Sequence, residues 1–498
     1  MGDIQWGTLI PILIYFILMY VIGFYASSLN KKASLKKGST GDAYIGEHLT
    51  GGRDTGGFVL AMTMVATYLS AGSFIGGPGT AYTHGLAWVF LAMAQMPTGY
   101  FTLSVLGKKF AIISRKVNAN SITDFLKARY NSHTVYIIAS LSIVFFLTAA
   151  MAAQLIGAAR LLQGSTGLTY TTSLLFFATT VIVHTAVGGF KGVTLNDTLQ
   201  GVVMTISTMA LLVMTVIKGG GVANVIQTMK GINPGTISPY GVTEGFMTIP
   251  WVTSFWILVG FAVVGLPAIS QRAMSYKDTK SLKAGIKYGT VVSLVLLLGM
   301  HLVGAMGITL VSGIESGDLV VPTLSTMLFS PVLAGIILAG PLAAVMSTLD
   351  SQLLVVVGSI VSDLTVNYIK PDLKHDMKKT RMLFNVGTFV VGAIIIYIAM
   401  DPPELMVWLN LFASAGQIST FLWPTILGLY WKRANKQGAI ASMVSGIGVY
   451  MFCNYFWPRP FGFHPITLSV AVSLLGFVAV TYMFEKPSDE LVEKFWGI

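Results

Sequence analysis

Two short stretches place oxygen-bearing residues in otherwise apolar surroundings. In "AGPLAAVMSTLDSQLL", residues 339–354, Ala344, Ser347, Thr348 and Ser351 fall at i, i+3, i+4 and i+7, which is one face of a helix. Asp350 lies about 60° around the wheel from Ser347, at the edge of that face. Pro341 is expected to break the hydrogen-bond ladder locally. In "VATYLSAGSFIGGPG", residues 65–79, four hydroxyl residues are followed by Gly76, Gly77, Pro78 and Gly79. Loosening this helix near Tyr68–Gly72 strips the carbonyls of Ala66 and Leu69 of their partners, the amides of Ser70 and Ser73. Freed carbonyls and hydroxyls together make a hard-oxygen site suited to a small dehydrated cation. Two bland readings stand beside this one. Small residues also let membrane helices pack closely, and hydroxyls also bond back to their own helix while Asp350 meets a base elsewhere.

The elements that must position these groups are membrane spans. Of the 498 residues 54% are hydrophobic and 10% charged, with a mean hydropathy of +0.73, and apolar runs long enough to cross a bilayer recur along the chain. Thirteen spans are predicted: 7–27, 56–76, 86–106, 134–163, 170–187, 197–217, 248–270, 286–312, 331–361, 383–400, 405–430, 438–457 and 467–484. With the N-terminus outside, the inside loops 28–55, 107–133, 188–196, 271–285, 362–382, 431–437 and the C-terminal tail, with Lys287, hold 27 of the 31 Lys and Arg residues. That asymmetry predicts the N-terminus outside and the C-terminus in the cytoplasm. It also accounts for the net charge of +11, whose scattering in short clusters argues against a nucleic-acid partner.

The single cysteine, Cys453, excludes an intramolecular disulfide, and the histidines fall in no metal-ligand spacing. No loop is long enough for a soluble enzyme or sensor module, and no obligatory protein partner is evident. The first apolar run lacks a basic flank and a cleavage site, so it reads as a retained span rather than a signal peptide. The seventh span, "WVTSFWILVGFAVVGLPAISQR", is interrupted at Gly260, Gly265 and Pro267. It lies five spans after the broken second one. Paired interruptions in two halves point to a transporter's binding site.

The chain resembles the sodium:solute symporter family over nearly its full length. The resemblance rests on "LAMTMVATYLSAGSFIGGPGTAYTHGLAWVFLAMAQMP", "GGFKGVTLNDTLQG", "SFWILVGFAVVGLPAISQRAMSYKD", "LAAVMSTLDSQLL" and "WLNLFASAGQISTFLWPTILGLYWKRANKQGA". It implies an all-α membrane protein in one integral domain. The core is a five-plus-five inverted repeat (the LeuT-like arrangement) over about 56–217 and 248–430, with one N-terminal and two C-terminal helices beside it. It implies sodium as coupling ion, held by the carbonyls of Ala66, Leu69 and Ala344 and the hydroxyls of Ser347 and Thr348. A second cation site used by some members maps to Asp197, Ser347, Asp350 and Ser351. Many relatives are neutral at the position of Asp350, which leaves a second sodium, a proton or a structural pair open, and Asp197 reads equally as a helix cap.

For the solute the resemblance implies symport of pantothenate or another small carboxylate, such as a monocarboxylate, an amino acid or sialic acid. Candidate contacts are Ser70, Ser73, Phe74, Gln95, Gln154, Trp256, Phe261 and Gln417, with Phe255 as a further wall. Proline-transporting members carry aromatic residues where this chain has Ala150, Val259 and Val263, which argues against proline. Arg160 attracts an anionic solute, snorkels to the interface or is paired. A passive facilitator is the rival class, and it would have no use for a five-oxygen cation site.

Overall fold

The computed structural model describes residues 4–36, 40–402 and 406–497. Part of the predicted inner loop 28–55 and the first residue of the predicted span 405–430 lie outside the described residues. The described residues are helical throughout apart from turns and one isolated bridge between Thr55 and Tyr276. In hydrocarbon only structures that satisfy their own backbone groups can span, and helices do so within one segment.

Helix α1 (Trp6–Lys36) and the short amphipathic α2 (Gly41–Thr50) precede the broken pair α3 (Gly57–Tyr68) and α4 (Gly77–His84). A five-residue π-helical turn, Gly72–Gly76, joins the latter two, and their axes bend by 68°. Then come α5 (Leu86–Ala92), α6 (Thr98–Lys116), α7 (Ile122–Tyr130) and α8 (His133–Thr166). The predicted spans 170–187 and 197–217 belong to one helical element, α9 (Tyr170–Lys218), kinked where Gly189 takes φ 56°, ψ −167°. The predicted loop 188–196 is therefore mostly helix, and Asp197 lies inside α9 rather than at its start. It caps nothing.

After α10 (Val222–Ile232) comes the second broken pair, α11 (Ile249–Phe255) and α12 (Pro267–Ser275), bent by 49°. A π-turn at Trp256–Phe261 and a 3₁₀ turn at Ala262–Gly265 separate them. Helices α13 (Thr279–Gly307), α14 (Val320–Leu328) and α15 (Pro331–Gly358) follow, and α15 runs unbroken through Pro341. The predicted local break is absent because one missing N–H does not end a helix this well buried on every side. A long π-helical stretch, Ser359–Ile369, continues α15. The chain ends with α16 (Met377–Ala399), α17 (Met406–Tyr430), α18 (Lys436–Phe456), α19 (Pro465–Met483) and α20 (Asp489–Trp496).

Among the described residues nine helices are long and apolar enough to cross a membrane, or eleven with the two bent pairs. The count of nine takes the kinked α9 as one. Packing around α4 is close. A Cβ on Gly77 would sit 2.4 Å from His301 Nε2, one on Gly79 2.6 Å from the Gly317 backbone, and one on Gly304 2.2 Å from the Pro78 carbonyl.

Candidate functional site

Helix α3 ends at Tyr68 because Leu69 turns extended (φ −80°, ψ 117°). The amides beyond the break find new acceptors. Ser73 and Phe74 donate to the Ser70 carbonyl (2.9 and 3.0 Å), Gly72 to Ser70 Oγ (3.1 Å), and Ala71 to Gln154 Oε1 (2.8 Å). The carbonyls of Ala66 and Leu69 turn to α15 instead. Ser347 Oγ donates to Ala66 O at 2.8 Å, and Thr348 Oγ1 lies 3.2 Å from both Ala66 O and Leu69 O. Both hydroxyls also reach the Ala344 carbonyl, at 3.1 and 3.0 Å. Ala66, Leu69, Ala344, Ser347 and Thr348 are all buried, so their five oxygens form one cluster shut off from water.

This donor set fits a small hard monovalent cation. Its oxygens are neutral, the carbonyls can only accept, and the hydroxyl protons can rotate away to leave lone pairs facing an ion. It holds no carboxylate, which a divalent cation would need to offset its charge.

Beside the cluster lies a cavity of about 90 Å³ that has Thr348 in its wall. Of the candidate solute contacts, Ser70, Ser73, Gln95 and Gln417 line it, with Phe255, Val259 and Val263 among its apolar walls. Tyr68, Trp88, His301, Asn410 and Ser414 also line it and were not anticipated. Asn410, Ser414 and Gln417 share the i, i+4, i+7 face of α17, a spacing already readable in "NLFASAGQ". No Lys, Arg, Asp or Glu lines it, and His301 has its Nδ1 2.7 Å from its own helix's Leu297 carbonyl. Tyr68 donates to the Val259 carbonyl (2.7 Å), an acceptor within the π-turn, and so ties the two broken spans together in the cavity wall.

The remaining solute candidates lie elsewhere. Gln154 is fully buried and bridges the Ala71 amide to Asn410 Oδ1 (3.1 Å), so it mends the helix break instead of facing the cavity. Phe74 is buried and not in the wall. Trp256, 48% exposed, points away from the core, and Phe261 packs edge-on against Phe101 and near Trp423. Aromatic bulk in a π-turn at the protein's rim is satisfied by lipid-facing or packing contacts, which sequence spacing does not separate from a wall. Ala150 also lies outside the cavity. Arg160 is paired: its Nη1 meets Asp318 Oδ2 at 2.5 Å.

The expected second cation set does not close into one shell. Asp197 Oδ2 accepts from Thr63 Oγ1 (2.5 Å) and lies 3.6 Å from Arg272 Nη2, while Ser351 Oγ accepts from that same Nη2. Asp350 turns to the other leg of α9, accepting from Thr185 Oγ1, with its second oxygen 3.1 Å from His184 Nδ1. His184 Nε2 in turn contacts Asn196. Arg272, His184 and Thr185 were not anticipated. A buried partner was foreseeable for any carboxylate this deep, but its identity depends on helix packing.

Two discontinuous spans, a buried oxygen cluster at one of the breaks and an adjoining cavity are the features of an ion-coupled secondary transporter. A family model for the sodium:solute symporter family matches residues 48–446. The chain is 43% identical to the sodium/pantothenate symporter of Escherichia coli over 95% of this chain and 96% of the other. It is 40% identical to that of Haemophilus influenzae over 96% and 97%. Among solved structures, a Na⁺-coupled sialic acid symporter in a substrate-bound outward-open state superposes with a TM-score of 0.79 at 18% identity. That match covers 97% of this chain and 99% of the other, and supports the same fold. The chain belongs to the sodium:solute symporter family, and is thus a multi-pass membrane transporter rather than an enzyme.

Proposed function

We propose that the protein takes up pantothenate with sodium by alternating access. Sodium sits among the oxygens of Ala66, Leu69, Ala344, Ser347 and Thr348, and the solute sits in the adjoining cavity. The observation that carries this reading is Thr348, which belongs to the oxygen cluster and to the cavity wall at once. A carboxylate solute meets no fixed lysine or arginine in that wall, so the bound sodium is its nearest cation, and each ligand strengthens binding of the other. Ser70, Ser73, Gln95, His301, Asn410, Ser414 and Gln417 supply neutral donors and acceptors suited to hydroxyls and an amide. The near-equal identity to two sodium/pantothenate symporters favours pantothenate over other small carboxylates.

In this reading the repeats run over about 56–217 and 248–430. Both broken spans are then first helices of their repeats, joined by the Tyr68–Val259 bond and by the Thr55–Tyr276 bridge. The N-terminus faces outward and the basic loops face the cytoplasm. Coupling to a single sodium moves a monoanion without net charge, so a tenfold sodium gradient supports about tenfold accumulation, or about 1.4 kcal/mol.

The test is uptake of labelled pantothenate into proteoliposomes with an inward sodium gradient, then with potassium in place of sodium. Sodium-dependent accumulation above equilibrium is expected. Sodium-independent equilibration would make the protein a facilitator. No uptake by protein that sodium still stabilises would keep the ion site and discard the solute.

A further inference from the structure

Arg272 is among the largest fully buried side chains of the protein and lies on α12, the second half of the broken seventh span. Its guanidinium collects contacts from four segments. Nη2 donates to Ser351 Oγ of α15 and lies 3.6 Å from Asp197 Oδ2 of α9. Nε approaches Thr63 Oγ1 of α3 at 3.4 Å, and Nη1 donates to the Ala268 carbonyl at 3.3 Å. Its planar group lies 5.3 Å from the ring of Phe190, in the same α9 leg as Asp197. Two of these partners, Asp197 and Ser351, are half of the ligand set expected for a second cation. The other carboxylate of that set, Asp350, is engaged by Thr185 and His184. Ser351 also donates to the Ser347 carbonyl at 2.7 Å, so the guanidinium stands one helical turn from the proposed sodium site.

We propose that Arg272 is a tethered cation. Its guanidinium takes the place that a second sodium would occupy between Asp197 and Ser351 and so limits the transporter to one sodium per cycle. A guanidinium is always charged and supplies several donors in fixed directions, so a second sodium between Asp197 Oδ2 and Ser351 Oγ would face a fixed like charge in a site already filled. Arg272 is a positioning residue. It touches neither the first sodium nor the solute, and it sets the ion count by filling the neighbouring site. The inference rests on the sodium site proposed above.

The experiment counts sodium directly, by equilibrium binding of ²²Na⁺ to the purified full-length protein. The wild type is expected to bind one ion with a Hill coefficient of 1. Arg272→Ser frees Asp197 and Ser351, and is expected to bind two ions with a Hill coefficient above 1. Arg272→Lys, which restores the charge, should return to one. A merely structural arginine would lower stability without changing the count. In proteoliposomes, solute accumulation by the wild type should not respond to an imposed potential. That of Arg272→Ser should rise by up to about fifty-fold at 100 mV, the fold-change for one extra charge.

Wild type binding two ions would overturn the proposal, as would a folded Arg272→Ser that still binds one. Should Arg272→Ser not fold, Arg272→Lys decides alongside the wild type, because a charge-restoring variant that binds two ions would also overturn the proposal. No sodium bound by the wild type would instead refute the first site.

Discussion

The sharpest prediction concerns Ser347→Ala combined with Thr348→Ala. Between them the two hydroxyls approach Ala66 O, Thr67 O, Leu69 O and Ala344 O at 2.8–3.4 Å, and both residues are essentially inaccessible to water. If they supply two of five sodium ligands, each removes a polar contact to a charge, worth about 1.5–3 kcal/mol. The two share one site and will not add fully. The lower bound of the sum, about 3 kcal/mol, still raises the sodium dissociation constant roughly 150-fold. Sodium at a hundred times the wild-type constant stabilises the wild type by about 2.7 kcal/mol, whereas a 100-fold weaker variant keeps only about 0.4 kcal/mol. The assay is therefore the shift of the thermal unfolding midpoint between potassium and sodium, read beside the sodium concentration that half-activates uptake. The double variant should lose most of the shift while remaining in the membrane. A half-activating concentration within threefold of the wild type, in folded protein, would refute the assignment of these oxygens to the ion.

Two further perturbations test the frame around the site. Asp318→Asn removes the charge that faces Arg160 and should destabilise the protein by about 2–3 kcal/mol, seen as a lower unfolding midpoint. This falls below the cost of breaking a fully buried pair because Arg160 keeps 13% exposure. Adding Arg160→Gln should recover most of the loss, and strict additivity would show that the pair does not interact. His48 of α2 is buried against Tyr44 and Phe384, and burial, with Arg381 nearby, pushes its pKa down to about 4 from the usual 6.5. The unfolded chain binds the proton first, so this contribution to stability is complete above about pH 6.5 and is lost as the pH falls toward 4. His48→Gln should flatten that part of the pH–stability profile, and an unchanged slope would exonerate His48.

Much of this was legible before any coordinates. The break near Tyr68–Gly72 follows from the residues of the second span, and the face made by Ala344, Ser347 and Thr348 follows from helical spacing. These are local properties, and local rules read them. What failed was reasoning that needed a neighbour. Pro341 was expected to interrupt α15, but burial on every side holds the helix together. Asp197 read as a cap because residues 188–196 looked like a loop, whereas the single kink at Gly189 lets helix resume before it. Asp350 and Asp197 were joined in one cation site by the family resemblance alone. Their partners, His184 and Arg272, come from α9 and α12 and have no fixed spacing to them. Trp256 and Phe261 show the same limit, since an aromatic ring looks identical in sequence whether it lines a cavity or meets lipid.

The seam around α4 has a consequence for which substitutions the chain can accept. Gly77, Gly79 and Gly304 face His301, Gly317 and Pro78 across gaps that cannot admit a methyl group without something moving. Every missense change of a glycine codon adds at least that carbon. None of these three positions therefore takes a side chain without a shift of its neighbours. Gly77 also lines the cavity, so at that point the shape of the wall is fixed by the packing behind it.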